Sequence, residues 1–345
     1  RHRRLPARPR SLTAPPEPGP SVGLVSTCPV CGFPELNDPP WSDGAGSQET
    51  CPSCGTQFGV DDRADGIDEA FTTPLDAGGS VRVNDTLDAG PPAGDVTRYA
   101  LLPGASAAVY LADGDDDEVV ELYRADLAGG SVTKLSAPLV AGGNVQDLHV
   151  TPDGTRVVYL ADADMDGRNE LYSVLADGSQ TPLRLNQTIS NAQDVIFPEL
   201  TADGARAVYF VANGGGQRRL FSVPVAGGTP VQVSLEAHAP TLDLGSRFRL
   251  AADGTRVVYR TFTDLYSAPL DGSQPPVRLN GRFGPGHGNP LFGAMLGSGF
   301  EISPDGARVV YVSDPAAAER WELFSVRMDG GGGIRSSVRL NAPLP

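Results

Sequence analysis

Long apolar runs are missing from this 345-residue chain. None approaches the roughly 18 residues that a membrane-spanning helix needs, so the sequence holds no transmembrane segment. Cysteine is scarce: four occur, all between residues 28 and 54, so no disulfide can form within the rest of the chain. Lysine is almost absent, with Lys134 alone among 27 basic residues, against 42 acidic ones. The formal charge of −15 argues against nucleic acid as a main partner. Histidine is limited to His2, His149, His238 and His287. None falls in H-x-x-x-H or H-E-x-x-H spacing. No G-x-S-x-G nucleophile elbow is present. Glycine (42) and proline (31) are abundant instead, as a chain with many turns requires.

The chain is organised around residues 151–186, TPDGTRVVYLADADMDGRNELYSVLADGSQTPLRLN. Thr155–Leu160, Glu170–Val174 and Pro182–Leu185 read as strands, punctuated by Asp-Gly turns at Asp153 and Asp177. The tyrosine of the first run recurs as Tyr110, Tyr159, Tyr209, Tyr259 and Tyr311, about every 50 residues. Asp-Gly-x-Arg precedes it at Asp153, Asp203, Asp253 and Asp305. An x-Leu-(Tyr/Phe)-(Ser/Arg) strand follows at Glu121, Glu170, Arg219, Asp264 and Glu322. Three units end in Arg-Leu-Asn, at Asn186, Asn280 and Asn341. Short strands at Asp147–Val150, Phe197–Leu200, Arg247–Leu250 and Phe300–Ile302 complete a four-stranded unit. The fold class is therefore all-β, a propeller of four-stranded blades.

The segments SPDGARVVYVSD and ELFSVRMDGG resemble the repeat of TolB-type propellers, also found in the propeller domains of prolyl-oligopeptidase-like proteins. The resemblance covers roughly residues 69–345. It implies a propeller that presents a face to a protein partner in the cell envelope, although one propeller fold hosts many unrelated functions.

Ahead of the repeats the reading is modular. Residues 1–23 are basic and Pro-rich and read as a disordered tail. Cys28-Pro-Val-Cys31-Gly and Cys51-Pro-Ser-Cys54-Gly form C-x2-C-x19-C-x2-C. Two such knuckles aim four thiolates at one point, which suits a tetrahedral zinc site. Rubredoxin-like iron, or two disulfides, are the alternatives. Four thiolates leave no open position, so the metal would be structural. CPVCGFPELNDPPW…CPSCGTQFGVDD resembles small zinc ribbons of uncharacterised bacterial proteins, and the module spans residues 24–60. Residues 61–68 are an acidic linker. Glu69–Asn84 matches the second half of a blade, so five complete blades and an N-terminal half-blade are expected. A sixth blade would then need inner strands from the C-terminal side.

Asp162-x-Asp164-x-Asp166-Gly167-x-x-Glu170 resembles a D-x-D-x-D-G calcium loop, the glycine permitting its sharp bend. It falls in a hairpin, where calcium loops also occur in integrin-like propellers. One blade earlier Asp113, Asp115, Asp117 and Glu121 hold the same offsets, but Glu118 replaces the glycine, which puts that bend in question. The competing reading for both loops is a solvated acidic turn. The Asp of each Asp-Gly-x-Arg turn is expected to bind its own turn amides. His149, on a predicted channel-lining strand, is expected to hold a local hydrogen bond in preference to acting as a base.

Two function classes follow. The first is a non-catalytic, protein-binding scaffold, monomeric, with its partner on a propeller face. The second is a channel-centred metal-dependent hydrolase, or a small-molecule or glycan binder. Localisation divides: the propeller resembles cell-envelope proteins, whereas a four-thiolate site suits a reducing compartment.

Overall fold

A computed structural model describes residues 41–42, 45–46, 71–72, 81–84 and 95–342, the last without 105, 116–117, 239–247, 262–263, 281–298, 314–320 and 332–336. The chain divides into two compact units, Arg1–Val60 and Asp61–Pro345. In the first, Trp41–Ser42 pairs antiparallel with Ala45–Gly46. Cys28, Cys31, Cys51 and Cys54 lie outside the described residues.

The second unit is an all-β propeller. Five four-stranded antiparallel sheets follow one another, each bonded in chain order from first strand to fourth. Their outermost strands begin and end at Val96 and Lys134 (blade 1), Val145 and Arg184 (blade 2), Gln193 and Gln232 (blade 3), Phe248 and Arg278 (blade 4), and Phe300 and Arg339 (blade 5). Phe71–Thr72 pairs with Val81–Arg82 as the expected half-blade, and Val83 packs beside Tyr110 and Tyr123 of blade 1. The strand limits shift slightly from those expected. The second strand of blade 2 is Arg156–Ala161 and the fourth only Leu183–Arg184, while the first strand of blade 3 lengthens to Gln193–Leu200.

Second strands are apolar on both faces because each lies between two neighbouring blades. Ala107–Ala112 is buried throughout, the pattern of a covered strand in place of alternation. The repeated tyrosine occupies this strand and stacks on the aromatic opposite it in the third. Tyr159 and Tyr172 have ring centroids 5.3 Å apart, Tyr209 and Phe221 5.9 Å, Tyr311 and Phe324 5.6 Å. The hydroxyl reaches the linker from the preceding blade. Tyr159 Oη accepts from the Ala137 amide at 3.1 Å, and Tyr209 Oη donates to Gln187 Oε1 at 3.1 Å. One side chain thus fastens a blade internally and to its predecessor.

The remaining repeat residues are fasteners too. Arg156, Arg206, Arg256 and Arg308 each donate to the third-strand serine, Ser173, Ser222, Ser267 and Ser325, at 2.6–3.1 Å. Blade 1 exchanges the pair: Ala107 stands at the arginine position and Arg124 at the serine position, where it turns to Asp126 at 2.8 Å. Asn186, Asn280 and Asn341 accept the amides of Leu171, Leu265 and Leu323 at 2.7–2.9 Å. Ser136 and Ser234 do this for Leu122 and Leu220.

The turn aspartates behave as expected. Asp153 Oδ1 accepts the Thr155 amide at 3.0 Å and the Thr151 hydroxyl at 2.6 Å. Asp203, Asp253 and Asp305 accept the amides of Ala205, Thr255 and Ala307. The hydroxyl and amide donors hold the Asp153 and Asp203 carboxyls below their ordinary value because they favour the charged form.

Candidate functional site

Two places concentrate polar chemistry: the first-strand edge of the blades and the hairpin loops after the second strands. On the first-strand edge the register sets four polar residues at one level. His149 opposes Val158, Glu199 opposes Val208, Arg249 opposes Val258 and Glu301 opposes Val310. Ala100, opposite Val109, holds this level in blade 1. Adjacent first strands are joined by charge: Arg98 Nη1 lies 2.8 Å from Asp147 Oδ1, and Arg249 Nε lies 3.8 Å from Glu301 Oε2.

His149 Nε2 approaches Asp147 Oδ2 at 3.4 Å. Burial raises the Asp147 carboxyl, but the approach of His149, the Arg98 guanidinium and the Leu148 amide outweigh it and hold the group below its ordinary value. Asp147 is therefore an anion held by Arg98, and His149, whose Nε2 is buried without a hydrogen-bond partner among the described residues, does not make there the local hydrogen bond expected of it. In blade 3 this edge is irregular. The register shifts between Ile196 and Glu199, and Phe197 stands at φ 51° with its ring partly exposed. A bulge of this kind re-aims a side chain, and a positive φ in a non-glycine residue stores strain. Phe197 is the residue that sequence reasoning missed; Pro198 beside it, inside an expected strand, was the available signal.

In the hairpin loops, Asp162 and Asp113 do equivalent work. Asp162 Oδ1 accepts the Asn144 amide and Asp113 Oδ1 the Asp95 amide, each just ahead of a first strand. Asp162 Oδ2 also accepts the Gly167 amide at 2.8 Å. Gly167 has φ 73°, and Glu118 adopts φ 61° at the matching position. The bend is therefore present in both loops, and the glutamate makes it at a conformational cost. Asp164 and Glu170 both meet Arg184, at 3.2 and 3.4 Å. Asp115 and Glu121 both meet Lys134. Asp166 lies beside Gly142, and Asp117 lies outside the described residues. Among the described residues no three His, Cys, Asp or Glu side chains are gathered as a metal site.

Glu170 and Glu121 belong to a pair present in four of the five blades. The residue opening the third strand faces one near the end of the fourth: Glu121–Lys134, Glu170–Arg184, Asp264–Arg278 at 2.6 Å and Glu322–Arg339 at 2.8 Å. In blade 3 Gln232 holds the fourth-strand position, and Arg219 turns instead to Glu236 in the short helix beyond it, with Nε 2.7 Å from Oε2. Burial, with Asp164 beside it, raises the Glu170 carboxyl despite Arg184 and Arg168.

A cavity of about 380 Å³ is lined by Arg156, Gln180, Thr181, Pro182, Leu183 and Ala226. Its one charged group, Arg156, is already bonded to Ser173, so it offers shape with little chemistry.

The family model of the lipoprotein LpqB β-propeller domain matches residues 96–196, which is blades 1 and 2 with the start of blade 3. Comparison with curated protein sequences gives no match. Solved structures with a similar chain course include an oligogalacturonate lyase in complex with manganese, at 15% identity and TM-score 0.42, covering 70% of this chain and 63% of that one. A protein described as a TolB from Agrobacterium tumefaciens is 18% identical, with TM-score 0.36 and 69% and 78% covered. Dipeptidyl peptidase 4 of Porphyromonas gingivalis is 10% identical, with TM-score 0.43 and 67% and 38% covered. The chain thus spans under two thirds of the lyase and of the peptidase. The blade-by-blade sheets and the propeller-domain match together show a β-propeller, similar in sequence over its first blades to the LpqB propeller domain.

Proposed function

We propose that this chain is a non-catalytic, protein-binding β-propeller of the cell envelope, carrying a structural zinc module. One observation supports this reading above the others: the polar residues that resemble a site in one blade have structural counterparts in the rest. Glu170 has an equivalent pair in four of the five blades, and Asp153 has its equivalent turn in four. A catalytic constellation would break the repeat, because catalysis needs different groups converging on one reacting atom. The test is capture of binding partners by the full-length chain, followed by affinity measurement on a purified partner. Failure to retain any protein, together with hydrolytic or lyase turnover that Asp147→Asn abolishes, reverses the assignment.

Phe197 and the charges of the first-strand edge favour a second reading, a small-molecule or glycan site at that edge. An aromatic ring beside charged groups suits a sugar face. Loss of a saccharide-induced fluorescence change in Phe197→Ala is its measurement.

For the metals we infer zinc at Cys28, Cys31, Cys51 and Cys54 from their spacing. The purified chain is expected to contain one zinc per molecule, lost in Cys31→Ser; two disulfides by mass spectrometry dispose of the idea. For calcium at Asp162, Asp164, Asp166 and Glu170, Arg184 must first leave Asp164 and Glu170. The weaker Asp113, Asp115, Asp117 and Glu121 set must displace Lys134. Calorimetry with millimolar calcium should give heat in the wild type and none in Asp164→Ala.

A further inference from the structure

The turn after each third strand reaches back over the fourth strand of the blade before it. Its glycine marks the contact. A Cβ at Gly178, Gly227, Gly272 or Gly330 would stand 2.9, 2.5, 2.4 or 2.2 Å from Thr133, Leu183, Val231 or Val277 respectively. The residue ahead of that glycine is Asp177, Asp271 and Asp329 in blades 2, 4 and 5, and Ala226 in blade 3. The aspartates have two roles. Each accepts the amide two residues on, from Ser179, Ser273 and Gly331. Each also lies in the field of an arginine from the preceding blade. The Ser179 amide and hydroxyl hold the Asp177 carboxyl below its ordinary value, and Arg124 adds to this. The Ser273 amide and hydroxyl do the same for Asp271, with Arg206 adding. At Asp329, Arg327 and the Gly331 amide lead and Arg256 adds.

At the junction of blades 2 and 3 the arginine is present and the carboxylate is missing. Arg156 donates to Ser173 through Nη1 at 3.1 Å, whereas Arg206, Arg256 and Arg308 spend Nε on their serines. The other N–H groups of Arg156 meet no acceptor among the described residues, and no carboxylate pairs with it there. The Gly228 amide, counterpart of the Ser179 and Ser273 amides, also meets no acceptor among the described residues. A half-buried charge without a counter-charge is costly unless something pairs with it. The cavity of about 380 Å³ lies at this gap, with Arg156 and Ala226 both on its walls. Its walls alone are poor in chemistry; the other junctions show which group is absent. We propose that this cavity binds the carboxylate of a short aliphatic ligand, in the place that Asp271 and Asp329 fill at the next two junctions. A guanidinium pairs with a carboxylate through two parallel N–H···O bonds. Gln180 and Thr181 add polar groups to the walls, while Pro182 and Leu183, the latter 43% exposed, offer apolar surface to the ligand's body. This site is independent of the protein-binding reading.

The test uses the full chain, with butyrate as the probe and butyramide as its neutral counterpart, at constant pH and ionic strength. Ligand-observed NMR should show saturable binding of butyrate at millimolar concentration and none of butyramide. Butyrate should also raise the melting temperature in step with its occupancy. Arg156→Gln should weaken butyrate binding at least about tenfold. That change also removes the bond to Ser173, so Ala226→Asp serves as the second variant. It supplies the missing carboxylate from within, and should abolish butyrate binding while melting no earlier than the wild type. Partner capture that Ala226→Asp leaves unchanged assigns the site to free acids; capture lost together with butyrate binding assigns it to a carboxylate carried by the partner. No saturable butyrate binding, equal binding of butyrate and butyramide, or butyrate binding that survives both variants overturns the proposal. Inorganic phosphate binding as tightly as butyrate overturns the carboxylate assignment.

Discussion

Blades 2 and 5 share a sequence pattern and differ in what surrounds them. Both place a leucine after the acidic residue that opens the third strand, Leu171 and Leu323, and both cap that leucine's amide with an asparagine, Asn186 and Asn341. Leu171 has no exposed surface, and Leu323 is 38% exposed. The lesson is that the repeat encodes the blade, whereas burial is conferred by the neighbour. An apolar residue in a solenoid-like array gains its hydrophobic free energy only where the next unit covers it.

The sharpest way to break this comparison is a matched pair of truncations. Leu171→Ala empties a fully packed position and should cost about 3 kcal/mol. Leu323→Ala should cost about 1 kcal/mol or less, as at exposed positions. Denaturant unfolding of both variants measures the difference. Equal costs would mean that the blade 5 face is covered in solution.

A smaller effect separates the two acidic loops. Gly167 makes its bend in open space, with no atom near enough to meet a Cβ, so Gly167→Ala reports backbone conformation alone. It should destabilise by about 1 kcal/mol, the penalty of the left-handed region for an L-residue. Glu118 already bears that penalty at φ 61°, so Glu118→Gly should stabilise by up to about 1 kcal/mol. Thermal melts of the two variants should move in opposite directions. Two destabilised variants would show that the Glu118 side chain contributes a contact worth more than its strain.

The smallest expected effect concerns pH. Asp153 is held below its ordinary value of 3.8, first by the Thr151 hydroxyl and then by the Thr155 amide and hydroxyl. A carboxyl depressed in the folded state adds stability above its unfolded pKa and loses it as pH falls through the folded one. The melting gap between wild type and Asp153→Ala should therefore be full near neutrality and shrink below 3.8. A gap that grows on acidification would contradict the turn-fastening role. The position is solvent-exposed, so the effect is modest.

Much of the fold was legible because its signals are local. Asp-Gly turns, β-branched runs and the recurring tyrosine announce strands and hairpins through backbone preference and spacing. The expected four-strand unit matched the observed sheets to within a few residues in blade 2. The first strand of blade 3 ran longer than expected because its bulge at Phe197 lets pairing resume beyond the irregularity. The candidate site was less legible. The acidic loop at Asp162 reads as a ligand set in one dimension. In three dimensions Glu170 serves Arg184, and Asp162 fastens the Asn144 amide. Only the equivalent pairs of other blades, Glu121–Lys134, Asp264–Arg278 and Glu322–Arg339, reveal the glutamate's repeated role.

By itself the sequence determined the blade: its four strands, its turns, its Arg–Ser and Asn–amide fasteners, and the recurrence that stacks five of them. These depend on residues close in the chain or opposite one another in a hairpin, where turn chemistry sets the register. Tertiary structure alone decided which identical positions are core and which are surface. It set Arg98 against Asp147 and Arg249 against Glu301 across blades, and it left Leu323 and Leu340 open while burying Leu171 and Leu185. The physical reason is that burial and cross-blade charge belong to pairs of blades, and no single repeat contains its neighbour.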